Sequence, residues 1–170
     1  MGTLAAARFW MVVFVVGLVI SGVTAFPLEA ELRSLSGMLH ASPAPELLPG
    51  LVEWIDRVHH ALVTTGAEYP FLSYGTDWLG FAHLVIAVAF IGPLLDPVRN
   101  IWVLRFGMIA CVMVIPFALI AGAVRGIPLG WQLIDMSFGV VGIIPAYLAY
   151  RLTRPMEAEQ TRVGEPLSVG

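Results

Sequence analysis

Residues Ser73 to Phe106 read "SYGTDWLGFAHLVIAVAFIGPLLDPVRNIWVLRF". A histidine, His83, sits inside one long apolar run and an arginine, Arg105, lies just inside the next. Between them the only charged residues are Asp96 and Arg99, in the short joint "DPVRN". Crossing ~30 Å of hydrocarbon takes about 17 to 25 helical residues, so two such runs joined by so short a link read as a pair of membrane spans.

Working outward, the same criterion selects four spans: Phe9 to Phe26, Trp78 to Leu95, Ile101 to Val124 and Trp131 to Tyr150. Of the 170 residues, 58% are hydrophobic and 12% charged, with a mean hydropathy of +0.85. A soluble domain carries about 25% charged residues, so lipid is the solvent this composition requires. None of the runs alternates as barrel strands do, and a backbone in lipid must satisfy its own hydrogen bonds, so the spans are helices. The expected fold is all-α: an integral membrane four-helix bundle occupying residues 1–154, with an extracytoplasmic helical loop over 27–77 and a disordered cytoplasmic tail over 155–170.

Arginine alone sets the orientation, since the chain has no lysine. With the N-terminus inside, Arg8, Arg99, Arg105, Arg151, Arg154 and Arg162 are cytoplasmic, and only Arg33, Arg57 and Arg125 lie outside. Both termini are then cytoplasmic. Tyr74, Trp78 and Trp131 fall at outer boundaries and Trp10, Trp102, Tyr147 and Tyr150 at inner ones, as aromatic belts should. A competing expectation makes Arg8, the first apolar run and "SGVTAF" a signal peptide cut after Ala25, which would leave three spans.

In the outer loop, Leu28, Leu32, Leu35 and Leu39 recur at helical spacing, and three prolines and a glycine in "HASPAPELLPG" turn the chain. A second amphipathic helix, Pro49 to Thr64, carries the stripe Leu51, Ile55, Val58 and Leu62. That stripe is expected to pack on the outer ends of the spans as a lintel, or as a lid, with His59 toward the membrane domain and His60 toward water. Thr76 or Asp77 is positioned to cap span two.

Spans meet in lipid through small residues and a few polar groups. The stripes are Gly17, Ser21 and Thr24; Thr76, Gly80, His83 and Ala87; Gly107, Cys111, Ala118 and Gly122; and Gln132, Asp135, Gly139 and Gly142. At 1.5 Å per residue His83 lies ~8 Å inside Trp78 and Asp135 ~6 Å inside Trp131, so the two can meet in the outer third, with Ser21, Thr24, Gln132 and Arg125 near. A lone carboxylate there is costly, so Asp135 is expected to pair with His83 or Arg125, or to be protonated. Arg105 is expected to snorkel to the inner interface or to pair with Asp96.

Two readings of this cluster differ in kind. It can be packing glue inside a binding or accessory subunit that sits beside a larger membrane complex or a second copy, or binds lipid. Alternatively it is an outward-facing polar pocket for small-molecule or proton transport, or for a redox cofactor. No P-loop, GxGxxG or CxxCH occurs, so no motif points to an enzyme, and nothing suggests nucleic acid. No cofactor or metal is expected: His83 is the only histidine in a span, so haem would need His40, His59 or His60 as second ligand, and adjacent His59 and His60 diverge by about 100°. The single cysteine, Cys111, reads as a packing residue.

The runs "YGTDWLGFAHLVIAVAFIGPLLDPVRN", "FGMIACVMVIPFALI" and "RGIPLGWQLIDMSFGVVGIIP" together resemble a family of small bacterial four-span membrane proteins without an assigned activity. The resemblance covers about Tyr74 to Pro145. It implies the topology and a bacterial cytoplasmic membrane, and carries over no site residue.

Overall fold

A computed structural model describes residues 2–164. Its elements are α1 (Thr3–Thr24), α2 (Leu28–His40), a single turn α3 (Ala44–Leu47), α4 (Pro49–Glu68), a 3-10 turn over Pro70–Ser73, α5 (Tyr74–Ala89), α6 (Ile91–Leu95), α7 (Ile101–Arg125) and α8 (Leu129–Gly164). There is no strand among the described residues. Four helical segments are long and apolar enough to cross a membrane: Thr3–Thr24, Pro70–Leu95, Ile101–Arg125 and Leu129–Glu159.

The outward faces of these segments are the apolar ones. Phe117, Ile120 and Val124 on α7, Phe138 and Val141 on α8 and Val88 on α5 are all exposed, whereas the contacts between helices fall on small residues. A Cβ placed on Gly139 would run into the backbone oxygen of Cys111, and one on Gly80 would stand 2.7 Å from the Gly22 oxygen. Lipid tails are as apolar as the side chains, so helices gain from touching only where their backbones come close, and glycine permits that.

α1 packs against both α5 and α8, and α8 packs against α7; α5 makes no comparable contact with α7 or α8. The helices therefore form a curved row, α5–α1–α8–α7, rather than an evenly closed ring. The row closes near the chain termini. There Phe90, fully buried at the α5–α6 joint, lies against the Phe14 ring at 4.8 Å between centroids and reaches Gly107 of α7. Around it gather Ala7, Met11, Leu104, Cys111, Ala146 and Ala149, the main core of the molecule.

Local sequence explains the breaks. Pro93 cannot donate to the carbonyl of Ala89 and its ring crowds that turn, so span two breaks at Phe90, between α5 and α6. Asp96 Oδ1 accepts the Arg99 amide at 3.1 Å, which fixes the turn into α7. At the other end of α7, Gly126 takes a left-handed conformation with φ of 67°, and the Ile127 amide returns to the Gly122 carbonyl at 2.9 Å, closing the helix.

Several expectations are corrected. On α1 the buried face is Ala7, Met11, Phe14 and Gly22, while Gly17 and Ser21 are exposed. Neither Thr76 nor Asp77 caps α5: Thr76 Oγ1 donates back to the Ser73 carbonyl at 2.7 Å, and α5 follows directly from the 3-10 turn. α4 packs on α2 and on the 3-10 turn that opens the second apolar segment, and makes no comparable contact with α1, α7 or α8. α8 runs past Pro155 to Gly164, so residues 155–164 are helical where the sequence suggested disorder; 165–170 lie outside the described residues. Pro155 withholds one bond, from the carbonyl of Arg151, a residue exposed to solvent, so the helix tolerates it.

Gly139→Ala should lower stability by about 1–3 kcal/mol, the range for overpacking a close contact. Gly17→Ala, with open space around it, should leave the thermal midpoint in mild detergent unchanged. Equal midpoints for both variants would show that α7 and α8 do not meet at Gly139.

Candidate functional site

At the end of the bundle away from the termini, the polar groups are dispersed rather than gathered. Gln132 is 7% exposed; its side chain lies over Gly122 and its Nε2 donates to the Ile127 carbonyl at 2.8 Å. It therefore ties the α7–α8 turn. Thr24 Oγ1 donates to the Ser21 carbonyl at 3.3 Å within its own helix, and Ser21 points outward. Arg125 is exposed at the end of α7 and forms no ion pair among the described residues.

His83 and Asp135 do not pair. The His83 ring turns back along its own helix, Nδ1–H donating to the Leu79 carbonyl at 2.8 Å. A carbonyl can only accept, so that bond places a proton on Nδ1. Asp135 shares the face of α8 that carries Gln132, Gly139 and Gly142, is partly buried, and has no hydrogen bond or ion pair among the described residues. Depth alone allowed a meeting, but α1 stands between α5 and α8.

A second polar group, not anticipated from the sequence, lies in the α2–α4 hairpin. Asp56 on α4 accepts the Ser36 hydroxyl at 2.6 Å on one carboxylate oxygen and the His40 Nε2–H at 2.8 Å on the other, both from α2. Beneath it, Leu32, Val52 and Ile55 form a small separate core. His59, one turn along α4, adds a weaker electrostatic pull on Asp56. Among the described residues its Nε2 and the Trp54 Nε1 are buried without a hydrogen-bond partner. Ser36 and His40 are one helical turn apart on α2, the only sequence signal that could have raised this site.

As an arrangement, the trio is a clamp. The Ser36 hydroxyl and the His40 ring both donate to the Asp56 carboxylate, so the three side chains tie α2 to α4. Among the described residues no three His, Cys, Asp or Glu side chains converge as a metal site would need. At the opposite end, Arg8 donates to the Leu94 and Leu95 carbonyls at 2.9 and 3.0 Å, tying α1 to the end of α6. Arg105 pairs with Glu157 at 3.7 Å and lies over the Tyr150 ring, rather than meeting Asp96.

Compared with known proteins, the chain matches no family model, no curated protein and no solved structure.

The Ser36 hydrogen bond, and after it that of His40, hold the Asp56 carboxyl below its ordinary value of 3.8. A lowered folded-state value means that the clamp contributes above the ordinary value and is lost as pH falls below it. Hydrogen exchange of α2 and α4 amides, corrected for intrinsic rates, should therefore quicken as pH drops below about 4. In Asp56→Ala the two helices should already exchange faster at neutral pH and show no acid step. An acid step that survives the substitution would assign it elsewhere.

Proposed function

We propose that this chain is a binding or accessory subunit of a bacterial cytoplasmic membrane, with both termini in the cytoplasm, and that it works by packing beside another membrane protein or a second copy. One observation carries the reading: Asp135, a carboxylate within a span, has no hydrogen bond or ion pair among the described residues. Ionisable groups in spans are costly and are kept where something compensates them. α5 and α7 leave the neighbouring side of the row without a closing contact, so a cationic or hydrogen-bonding group from another chain has access there. The dispersal of His83, Gln132, Ser21 and Thr24 supports a packing role over a ligand pocket built within this chain.

A second reading rests on the same carboxylate. An unpaired acid in a span can also take up and release a proton, which keeps transport in play. Partner capture separates the two. With a photo-crosslinking residue at the exposed Phe138, the full-length chain in native membranes should yield one discrete adduct and should co-purify with that species in mild detergent. Asp135→Asn should lose both. A chain that runs alone, forms no adduct and is unchanged by Asp135→Asn would overturn the subunit reading.

The orientation rests on Arg8, Arg99, Arg105, Arg151 and Arg154, which share the end of the bundle opposite the hairpin. A cysteine at Gly50 should react with an impermeant maleimide on intact cells, and one at Arg154 should react only after lysis. The reverse pattern would invert the topology.

A further inference from the structure

Near the chain termini, α7 presents Arg105, Met108, Ile109, Val112 and Met113 along one stripe, and these five line a shallow groove of ≈ 290 Å³. From Arg105 the groove descends ~12 Å toward mid-span at 1.5 Å per residue. Its exposed lining is wholly apolar: Arg105 contributes its aliphatic stem there, and the guanidinium stands beyond the groove's end, toward Glu157 and Tyr150 of α8.

That guanidinium is only partly committed. Its contact with Glu157 Oε2, at 3.7 Å, is longer than a hydrogen bond. The Tyr150 ring lies 5.6 Å away and takes none of the donors in their plane. Arg105 makes no hydrogen bond among the described residues, so its N–H fork is open. Trp102 and Tyr147, both at least half exposed, sit at the same end, the depth at which aromatic side chains meet headgroups. Arg151 and Arg154 of α8 are exposed there as well.

We infer that this groove is a binding site for one anionic phospholipid of the adjacent leaflet. The phosphate takes the Arg105 fork, which suits paired oxygens, and one acyl chain lies along Met108, Ile109, Val112 and Met113. Methionine packs readily against an irregular chain. Glu157 is then an internal competitor. It holds the arginine when the groove is empty of headgroup and yields to the phosphate. A zwitterionic lipid carries the same phosphate together with its own cation, so net charge decides between the two. The site is at the opposite end from Asp135 and does not depend on the subunit reading.

Native mass spectrometry of the full chain, titrated with phosphatidylglycerol and with phosphatidylcholine in mild detergent, tests the site. Phosphatidylglycerol should bind roughly fivefold tighter, about what one arginine contributes at an anionic surface. Arg105→Gln should abolish the preference, while Glu157→Gln should strengthen it. Val112→Trp should weaken both lipids by filling the groove. If Arg105→Gln does not fold, the Glu157→Gln result and the wild-type thermal midpoint, which phosphatidylglycerol should raise more than phosphatidylcholine, still decide. Equal binding of the two lipids by the wild type, or a Glu157→Gln change that weakens binding, would overturn the inference.

Discussion

Close approach of backbones at a few glycines is the contact on which the rest of this molecule depends. In lipid, the apolar side chains of one span gain little by leaving their solvent for another span, so association has to come from packing at short range. Gly139 against the Cys111 carbonyl joins α8 to α7, and Gly22 against Gly80 joins α1 to α5. Where a larger side chain fills the contact instead, as Phe90 does between Phe14 and Gly107, the neighbouring helix again offers a glycine. Every other feature of the transmembrane part is arranged around these points.

Because the contacts are unevenly spaced, the two ends of the bundle differ. Near the termini a continuous core unites all the spans, and Arg8 fastens the start of α1 to the carbonyls that end α6. Toward the hairpin, α5 rests on α1 alone, and the polar side chains there satisfy themselves locally: His83 on Leu79, Gln132 on Ile127, Thr24 on Ser21. Asp135 has no equivalent. It shares the face of the buried Gln132 and Gly139 and yet makes no hydrogen bond or ion pair among the described residues.

The hairpin outside the spans obeys different rules because water returns the hydrophobic drive. Leu32, Val52 and Ile55 come together for that reason, and the Asp56 clamp can afford two donors because it remains partly hydrated. The i,i+4 pairs Arg33–Glu29 and Arg57–Glu53 decorate the outside of each helix; exposed pairs of this kind contribute at most about 1 kcal/mol. The apolar stripe and the clamp thus define the hairpin's own register, and its contact with the spans is through the 3-10 turn that opens the second apolar segment.

Membrane residence, an all-helical fold and the count of spanning segments follow from the sequence by itself, because lipid permits few solutions to a run of twenty apolar residues. The amphipathic character of α2 and α4 was likewise legible, as leucine spacing is a property of one helix. Which surface each stripe meets was not. The stripe of α4 would suit the ends of the spans or α2 equally well, and only the folded chain puts it on α2. Gly17 and Ser21 looked like interface residues by type, but the register of α1 turns them outward in favour of Met11, Phe14 and Gly22. Equal depth suggested that His83 and Asp135 meet, and the interposed α1 keeps them apart. Asp56 carried no signal alone, since a single carboxylate on an exposed-looking helix acquires its role only when Ser36 and His40 arrive from another. Periodicity and composition are local quantities, whereas the choice of neighbour is a comparison among many packings of similar local quality, and that comparison is made only by the tertiary structure.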